Sequence, residues 1–287
     1  MDLDNLRDWI GRTEQRTDDI TAMPVAALSA TLDRDDAAPV PGSDLPHLWH
    51  WMYFAPLAQQ REIGPDGHPN RGGFLPPVPL PRRMWAGSRL SFHHPLQVGD
   101  EVTRSARIAD VSVKTGRSGT LVFVTVRHEI HNARGLAISE EQDIVYRDAP
   151  TPGAPAPAPQ AAATGEAVSR TITPDPVLLF RYSALTFNGH RIHYDRPYAT
   201  QVEGYPGLIV HGPLMATLLA QLACRQHPGR TLRRFDFRAL KPVFDTAPFS
   251  VNGRPDGNGN GDGDGRAALW VRDPVGDLAM QASAQFE

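Results

Sequence analysis

The chain has 287 residues, 40% hydrophobic and 21% charged, a balance that excludes a disordered or fibrous protein and allows two modest domains or one large one. A formal charge of −3 gives no pull towards nucleic acid or an anionic membrane, and no apolar run reaches the roughly 18–20 residues needed to span a bilayer. The single cysteine, Cys224, cannot close an internal disulfide, and MDLDNLRDWIGR lacks the apolar core of a signal peptide, so a cytoplasmic protein is expected.

Residues 2–33 show helical spacing of Leu6, Trp9, Ile10, Ala27, Leu28 and Leu32. Residues 45–60, LPHLWHWMYFAPLAQQ, read as an apolar helix with Pro46 in its first turn and Pro56 kinking or ending it. A loop rich in proline and glycine occupies 64–83. From Met84 to Arg147 the pattern turns to strands; LVFVTVRHEI alternates strongly, and KTGRSG reads as a turn between two of them. The stretch APTPGAPAPAPQAAATG cannot build a core, which divides the chain into residues 1–148, a linker at 149–168 and residues 169–287.

Beyond the linker, Tyr205 to Gly212 is a glycine-punctuated turn, and PLMATLLAQLACR is a helix opened by Pro213. The strands RRFDFRAL, PFSVNG, AALWVRD and LAMQASAQFE follow. HPLQVGDEV corresponds in place to KPVFDTAPF, and NARGLAISEEQ to DPVGDLAMQAS, so an α+β unit is used twice, each a sheet wrapped around a buried helix. NGRPDGNGNGDGDG, residues 252–265, matches a calcium-binding tract only in composition and reads as a flexible hairpin tip.

Chemistry concentrates in RYSALTFNGHRIHYDRPYATQVEGYPGLIVHGPL, where Asn188, His190, His193 and Asp195 precede a helix start. A metal set of His190, His193, Asp195 and His211 is one reading, but HxxH without cysteine is a weak zinc signature, and no metal or cofactor is expected. In the other, His193 moves a proton while Asn188 positions water. Asp195 either assists this chemistry or fixes the local turn by bonding backbone amides. The backbone N–H of Gly212 suits negative charge developing on a substrate oxygen, and the same glycine lets the helix pack closely.

The segment resembles the MaoC-like hydratase motif GDxNPxHxDxxxA, with His193, Asp195 and Ala199 in register. FNGHRIHYDRPYA with YPGLIVHGPL, and FLPPVPLPRRMWAGSRLSFHHPLQVGD at 74–100, are similar to a narrower branch. It contains mesaconyl-CoA (3-methylfumaryl-CoA) hydratases, itaconyl-CoA hydratases and mitochondrial hydroxyacyl-thioester dehydratases. This resemblance implies a double hot-dog fold, with the catalytic loop in the carboxy-terminal repeat and a degenerate amino-terminal repeat helping to form the acyl and CoA channel. Gly212 would then donate its N–H to the thioester oxygen. The family's aspartate falls on Asn188 and its asparagine on His190. Asn188 can hold a water but cannot take its proton, which leaves proton transfer to His193 with His190 or Asp195 assisting.

The implied activity is hydration of mesaconyl-CoA or itaconyl-CoA to citramalyl-CoA, with a 3-hydroxyacyl-thioester dehydratase, or a hot-dog thioesterase or acyl-CoA-binding protein, as alternatives. Such substrates carry a carboxylate that arginine can grip with two hydrogen bonds. Arg181, Arg191 and Arg196 flank the motif, Arg82, Arg83 and Arg89 lie in the amino-terminal segment, and Arg233, Arg234 and Lys241 suit CoA phosphates. Tyr182, Tyr194 and His211 complete the expected binding set. The expected partners are the acyl-CoA substrate and a second copy in a homodimer, with no nucleic acid and no membrane.

Overall fold

The computed structural model describes residues 4–116, 119–148, 158–256 and 265–287. Its strands are β1 (Thr13–Asp19), β2 (Arg82–Phe92), β3 (Glu101–Gly116), β4 (Gly119–Asn132), β5 (Gly135–Arg147), β6 (Val168–Ile172), β7 (Leu232–Ala239), β8 (Phe249–Pro255), β9 (Arg266–Arg272) and β10 (Leu278–Phe286). All pair antiparallel in one sheet ordered β1-β3-β4-β5-β2-β7-β10-β9-β8-β6. Outward from the central β2–β7 pair, both directions give the same succession, so the sheet is two copies of one five-stranded pattern joined edge to edge. The join runs from Gly87↔Arg238 to Ser91↔Arg234. A Cβ on Gly87 would stand 2.3 Å from the Phe237 carbonyl oxygen, so only glycine allows that approach.

Three α-helices among the described residues complete the α+β fold: α1 (Ala22–Thr31), α2 (Pro176–Leu185) and α3 (Gly212–Gln226). The sheet wraps α3, which packs on β7, β8, β9 and β10 and buries every residue from Leu214 to Ala223. Its sequence, apolar all round with proline in the first turn, suits a helix with no solvent face.

The first half fills its sheet differently. Residues 45–60 are not a helix; only Trp49–Met52 form one 3-10 turn. Leu48 and Phe54 take left-handed backbone angles, φ 70° and 60°, on either side of it, and Pro56 follows, so no helix can run through. The buried side chains of Leu48, Trp49, Met52, Tyr53 and Phe54 occupy the space instead. Residues 2–33 are likewise not continuous helix: a 3-10 turn at Asp4–Trp9 leads into β1, whose burial alternates along TEQRTDD, and then into α1.

The second half of helix α2, from Arg181, lies within the segment read as motif. Its N-cap, Asp175, accepts from the backbone N–H groups of Val177 and Leu178 at 2.7 and 2.9 Å, and Pro176 occupies the first turn. Arg117 and Ser118 of the expected KTGRSG turn, residues 149–157 of the expected linker and residues 257–264 of the glycine/aspartate tract lie outside the described residues. No helix among the described residues is long and apolar enough to cross a membrane.

Candidate active site

His193 ends a 3-10 turn, Arg191–His193, and is 8% exposed. Its Nδ1 lies 2.7 Å from the Ile209 carbonyl oxygen. A carbonyl only accepts, so Nδ1 carries the hydrogen and Nε2 is left with a free lone pair. Burial, opposed by the Ile209 hydrogen bond, pushes the ring's pKa down to about 4, which keeps it neutral at ordinary pH. Its face stacks on His211, with centroids 3.7 Å apart and planes inclined by 18°.

His211 caps the start of α3 and is fully buried, with Nε2 2.8 Å from the Ser183 hydroxyl and the edge of Tyr182 beside it. Burial, then the neighbouring His193 and His190, hold it well below the usual histidine range. Tyr182 and His211, expected to bind substrate, are thus placed behind the His193 ring. Gly212 follows at once. Nothing lies within 4 Å of where a Cβ would project, and its N–H has no acceptor among the described residues. An unoccupied donor at the positive end of a 15-residue helix therefore sits next to a neutral imidazole.

The loop between α2 and His193 is shaped by local bonds. Phe187 is left-handed at φ 49° and ends α2. Asn188 Oδ1 accepts from the His190 N–H at 3.0 Å, an Asx turn, which leaves its amide N–H groups as donors. The Tyr194 hydroxyl donates to the Gly189 carbonyl at 2.9 Å, closing the loop while its ring stays exposed. Asp195 accepts from Arg191 Nε and Nη2 at 2.9 and 2.7 Å and from the Tyr198 N–H at 3.1 Å. Those bonds give it the turn-fixing position, clamping Arg191 and starting the turn at Tyr198–Val202.

His190 meets His193 edge-on at 5.5 Å between centroids, and on its other side meets His68 at 4.1 Å. His68 Nδ1 lies 3.0 Å from Asp66 Oδ2. Both residues come from the proline–glycine loop of the first half, which is stitched to the catalytic loop by main-chain atoms. The Arg191 N–H donates to the Asp66 carbonyl and Arg191 Nη1 to that of Pro65, each at 2.9 Å. A Cβ on Gly67 would fall 1.8 Å from the Gly189 carbonyl oxygen, so the two glycines touch backbone to backbone. Asp66 and His68 were not singled out from the sequence. Their only signal is D-G-H within a loop where two glycines must meet, and that contact is invisible along the chain.

Asp66, His68 and His190 place one ligand atom each within 4.8 Å of the others, near enough to share a cation. The hydrogen bond from His68 Nδ1 to Asp66 already uses one nitrogen and one oxygen of this trio. Burial, then His68 and His193, drive His190 down to about 2. Burial also lowers His68, with Asp66 working against it. For Asp66 burial acts upwards, but hydrogen bonds from the His68 ring and N–H outweigh it and hold the carboxyl below its usual range.

Most of the expected arginines are committed elsewhere. Arg191 is clamped to Asp195 and lies over the Tyr198 ring, while Arg196 pairs with Asp245. Arg82 donates to the Glu203 carbonyl at 2.9 Å and lies over Tyr205, and Arg89 grips Glu141 and Asp143. Arg233, Arg234 and Lys241 pair with Glu287, Asp236 and the Asp273–Asp277 couple. Arg181 is exposed on α2. Arg83, at the start of β2, has no carboxylate partner among the described residues, and its charge disfavours protonation of both His68 and His190.

Against known proteins, the profile of the hydroxyacyl-thioester dehydratase type 2 family matches residues 48–245. The chain belongs to this family. A mesaconyl-C(4)-CoA hydratase of Chloroflexus aurantiacus is 52% identical over 97% of the chain and 96% of its own length. The mitochondrial hydroxyacyl-thioester dehydratase type 2 of Schizosaccharomyces pombe is 27% identical over 82% of the chain and 84% of its own. Among solved structures, a MaoC-like dehydratase superposes with a TM-score of 0.70 at 13% identity, covering 97% of this chain and 98% of that one. A Mycobacterium tuberculosis protein described as having a double hotdog fold gives 0.58 at 15%, covering 97% and 96%. The architecture is therefore the double hot-dog, and in this member of the dehydratase family the first repeat holds a 3-10 turn where the second holds α3.

Proposed function

We propose that the chain is a hydro-lyase that reversibly adds water across the double bond of a carboxylated enoyl-CoA thioester, mesaconyl-CoA or itaconyl-CoA, giving citramalyl-CoA. The observation that carries this reading is the neutral His193, fixed by Ile209 with Nε2 free and stacked on His211, the residue that precedes the N–H of Gly212, which has no acceptor among the described residues. The thioester oxygen accepts from that N–H, and the bond strengthens as the enolate forms and charge appears on the oxygen. A water oxygen, held by the Asn188 amide, bonds to the β-carbon while His193 Nε2 takes its proton. With mesaconyl-CoA, whose double bond is conjugated with the thioester, the electron pair of that bond moves into the enolate, and a proton delivered to the α-carbon completes the addition. Itaconyl-CoA would first have to shift its double bond into conjugation. Asn188 has no basic atom to compete for the proton, so its part is positional. A relative of 52% identity named as a mesaconyl-CoA hydratase supports the substrate class, and the absence of a membrane-crossing helix among the described residues suits a water-soluble CoA ester.

Arg83 is the side chain we assign to the substrate carboxylate, because its charge is unpaired and close to the histidine row. The test follows formation of the hydroxyacyl-CoA product by chromatography with mesaconyl-CoA, itaconyl-CoA and crotonyl-CoA, for the wild type and Arg83→Leu. Turnover should be confined to the carboxylated substrates. The substitution should raise their KM about 10- to 100-fold, the worth of a charge-assisted pair. A preference for crotonyl-CoA would move the assignment to a fatty-acyl dehydratase, and no turnover of any of the three would end it.

A further inference from the structure

The catalytic loop is short of a carboxylate: Asn188 stands where the motif has aspartate, and Asp195 is tied to Arg191. A carboxylate does reach the site, from the other half of the chain. Asp66 accepts from His68 Nδ1, and the His68 ring packs against His190, which meets His193. Four imidazoles, His68, His190, His193 and His211, thus stand in a row, and among the described residues only the first has a carboxylate partner.

We propose that the Asp66–His68 pair replaces the motif aspartate as the second acid/base unit of the hydration. Asp66 is a positioning residue: it holds the His68 hydrogen on Nδ1, leaving Nε2, on the far side of the ring, to carry the exchanging proton. One proton closes the balance. In the resting enzyme His193 and His68 are both neutral. Water gives a proton to His193 Nε2 as its oxygen bonds to the β-carbon. The proton passes along the row through His190 to His68 Nε2, and His68 gives it to the α-carbon of the enolate. Burial disfavours the protonated His68 ring, as do Arg83, Arg71 and the neighbouring His190, while Asp66 favours it, so the proton is held only in passing.

This rests on the hydratase reading, and the two can fail separately. The main-chain stitching through Asp66 O, Pro65 O and the Gly67–Gly189 contact is untouched by Asp66→Asn, and the new side-chain oxygen can still accept from the His68 N–H. The experiment measures kcat, KM and thermal melting for wild type, Asp66→Asn, His68→Gln and the double variant Asp66→Asn/Asn188→Asp, with zinc, nickel and manganese content determined on each. Both single variants should lose roughly 100-fold in kcat at little-changed KM and melting temperature. Returning the carboxylate at Asn188→Asp should recover at least about tenfold of that loss, a rescue that a merely structural Asp66 would not show. Asp66→Asn at the wild-type rate overturns the proposal. So does a loss that the second substitution does not recover, and so does one equivalent of metal bound to the wild type and absent from Asp66→Asn, which would make the trio a cation site. A wild type inactive on every enoyl thioester would instead strike the hydratase reading itself.

Discussion

The two halves share a strand order but bury their polar groups to different ends. In the first, Glu140 on β5 is 5% exposed and closed in by its own half: it accepts from Ser88 Oγ at 2.6 Å and Trp51 Nε1 at 3.2 Å, with His50 Nε2 at 3.5 Å. In the second, the groups around the start of α3 keep bonding capacity in reserve: His193 Nε2, His211 Nδ1 and the Gly212 N–H have no protein partner among the described residues. The first network spends its hydrogen bonds on holding a core without a long helix. The second leaves the start of its long helix open to a substrate. Buried polar atoms without a partner among the described residues occur in both halves, Tyr146 Oη and His128 Nδ1 among them, so what marks the second network is its place at the start of α3.

Three measurements would break or sharpen that contrast. The largest effect is expected for His193→Ala, which should cost about 1,000-fold in kcat, while His50→Ala, equally buried, should leave kcat per folded molecule within about threefold. Comparable losses for both would dissolve the distinction between the halves. Next comes stability. Glu140→Ala leaves His50, Ser88 and Trp51 facing a void, and should lower unfolding free energy by about 3 kcal/mol in a denaturant titration. His193→Ala should cost much less, because the imidazole there is held neutral against solvation rather than by a charge partner.

The smallest and most diagnostic effect is in acid. His193 is depressed to about 4, chiefly by burial, from an unfolded value near 6.5, so the unfolded chain binds its proton first. Its stabilisation is complete above pH 6.5 and is lost as pH falls towards 4. Burial raises Glu140, but His50 and Ser88 outweigh it and bring the carboxyl to about 2, so its contribution is lost only below about 4.5. Stability followed from pH 7 to pH 2 should therefore decline in two stages, and His193→Ala should soften the upper stage alone. A single stage near pH 4.5, unaffected by the substitution, would contradict the assignment of His193 as a buried neutral base.

How much of this the sequence disclosed depends on the range of the interaction. Strands β2 to β5 and β7 to β10 and helix α3 follow from local patterning, whereas β1 lies in a stretch whose apolar spacing reads as helix and β6 follows the linker without a strand signal. The motif is also local, because Asn188, His193 and Gly212 lie within 25 residues of one another. The apolar run at 45–60 misled because its periodicity suits a helix, while the left-handed turns at Leu48 and Phe54 that break it come from packing. Helix α2 carries a sound start signal at Asp175–Pro176, but its last residues, Arg181–Leu185, also open the functional motif, so its short helical pattern merges with the loop that follows. Asp66 and His68 could not be reached from local signals at all, because their place in the site depends on glycines from opposite halves meeting.

That meeting also has a temporal side. Pro65 and Arg191, whose bond helps seat the loop, are 126 positions apart, so the chain must order most of both halves before the loops can close on each other. Catalytic competence is in this sense a late folding event: the sheet and α3 can form while the histidine row is still incomplete. A ribosome that has released only the first half has made a loop with nothing to dock against, and that loop, Asp66 included, must wait for residues 188–193 before the histidine row can assemble.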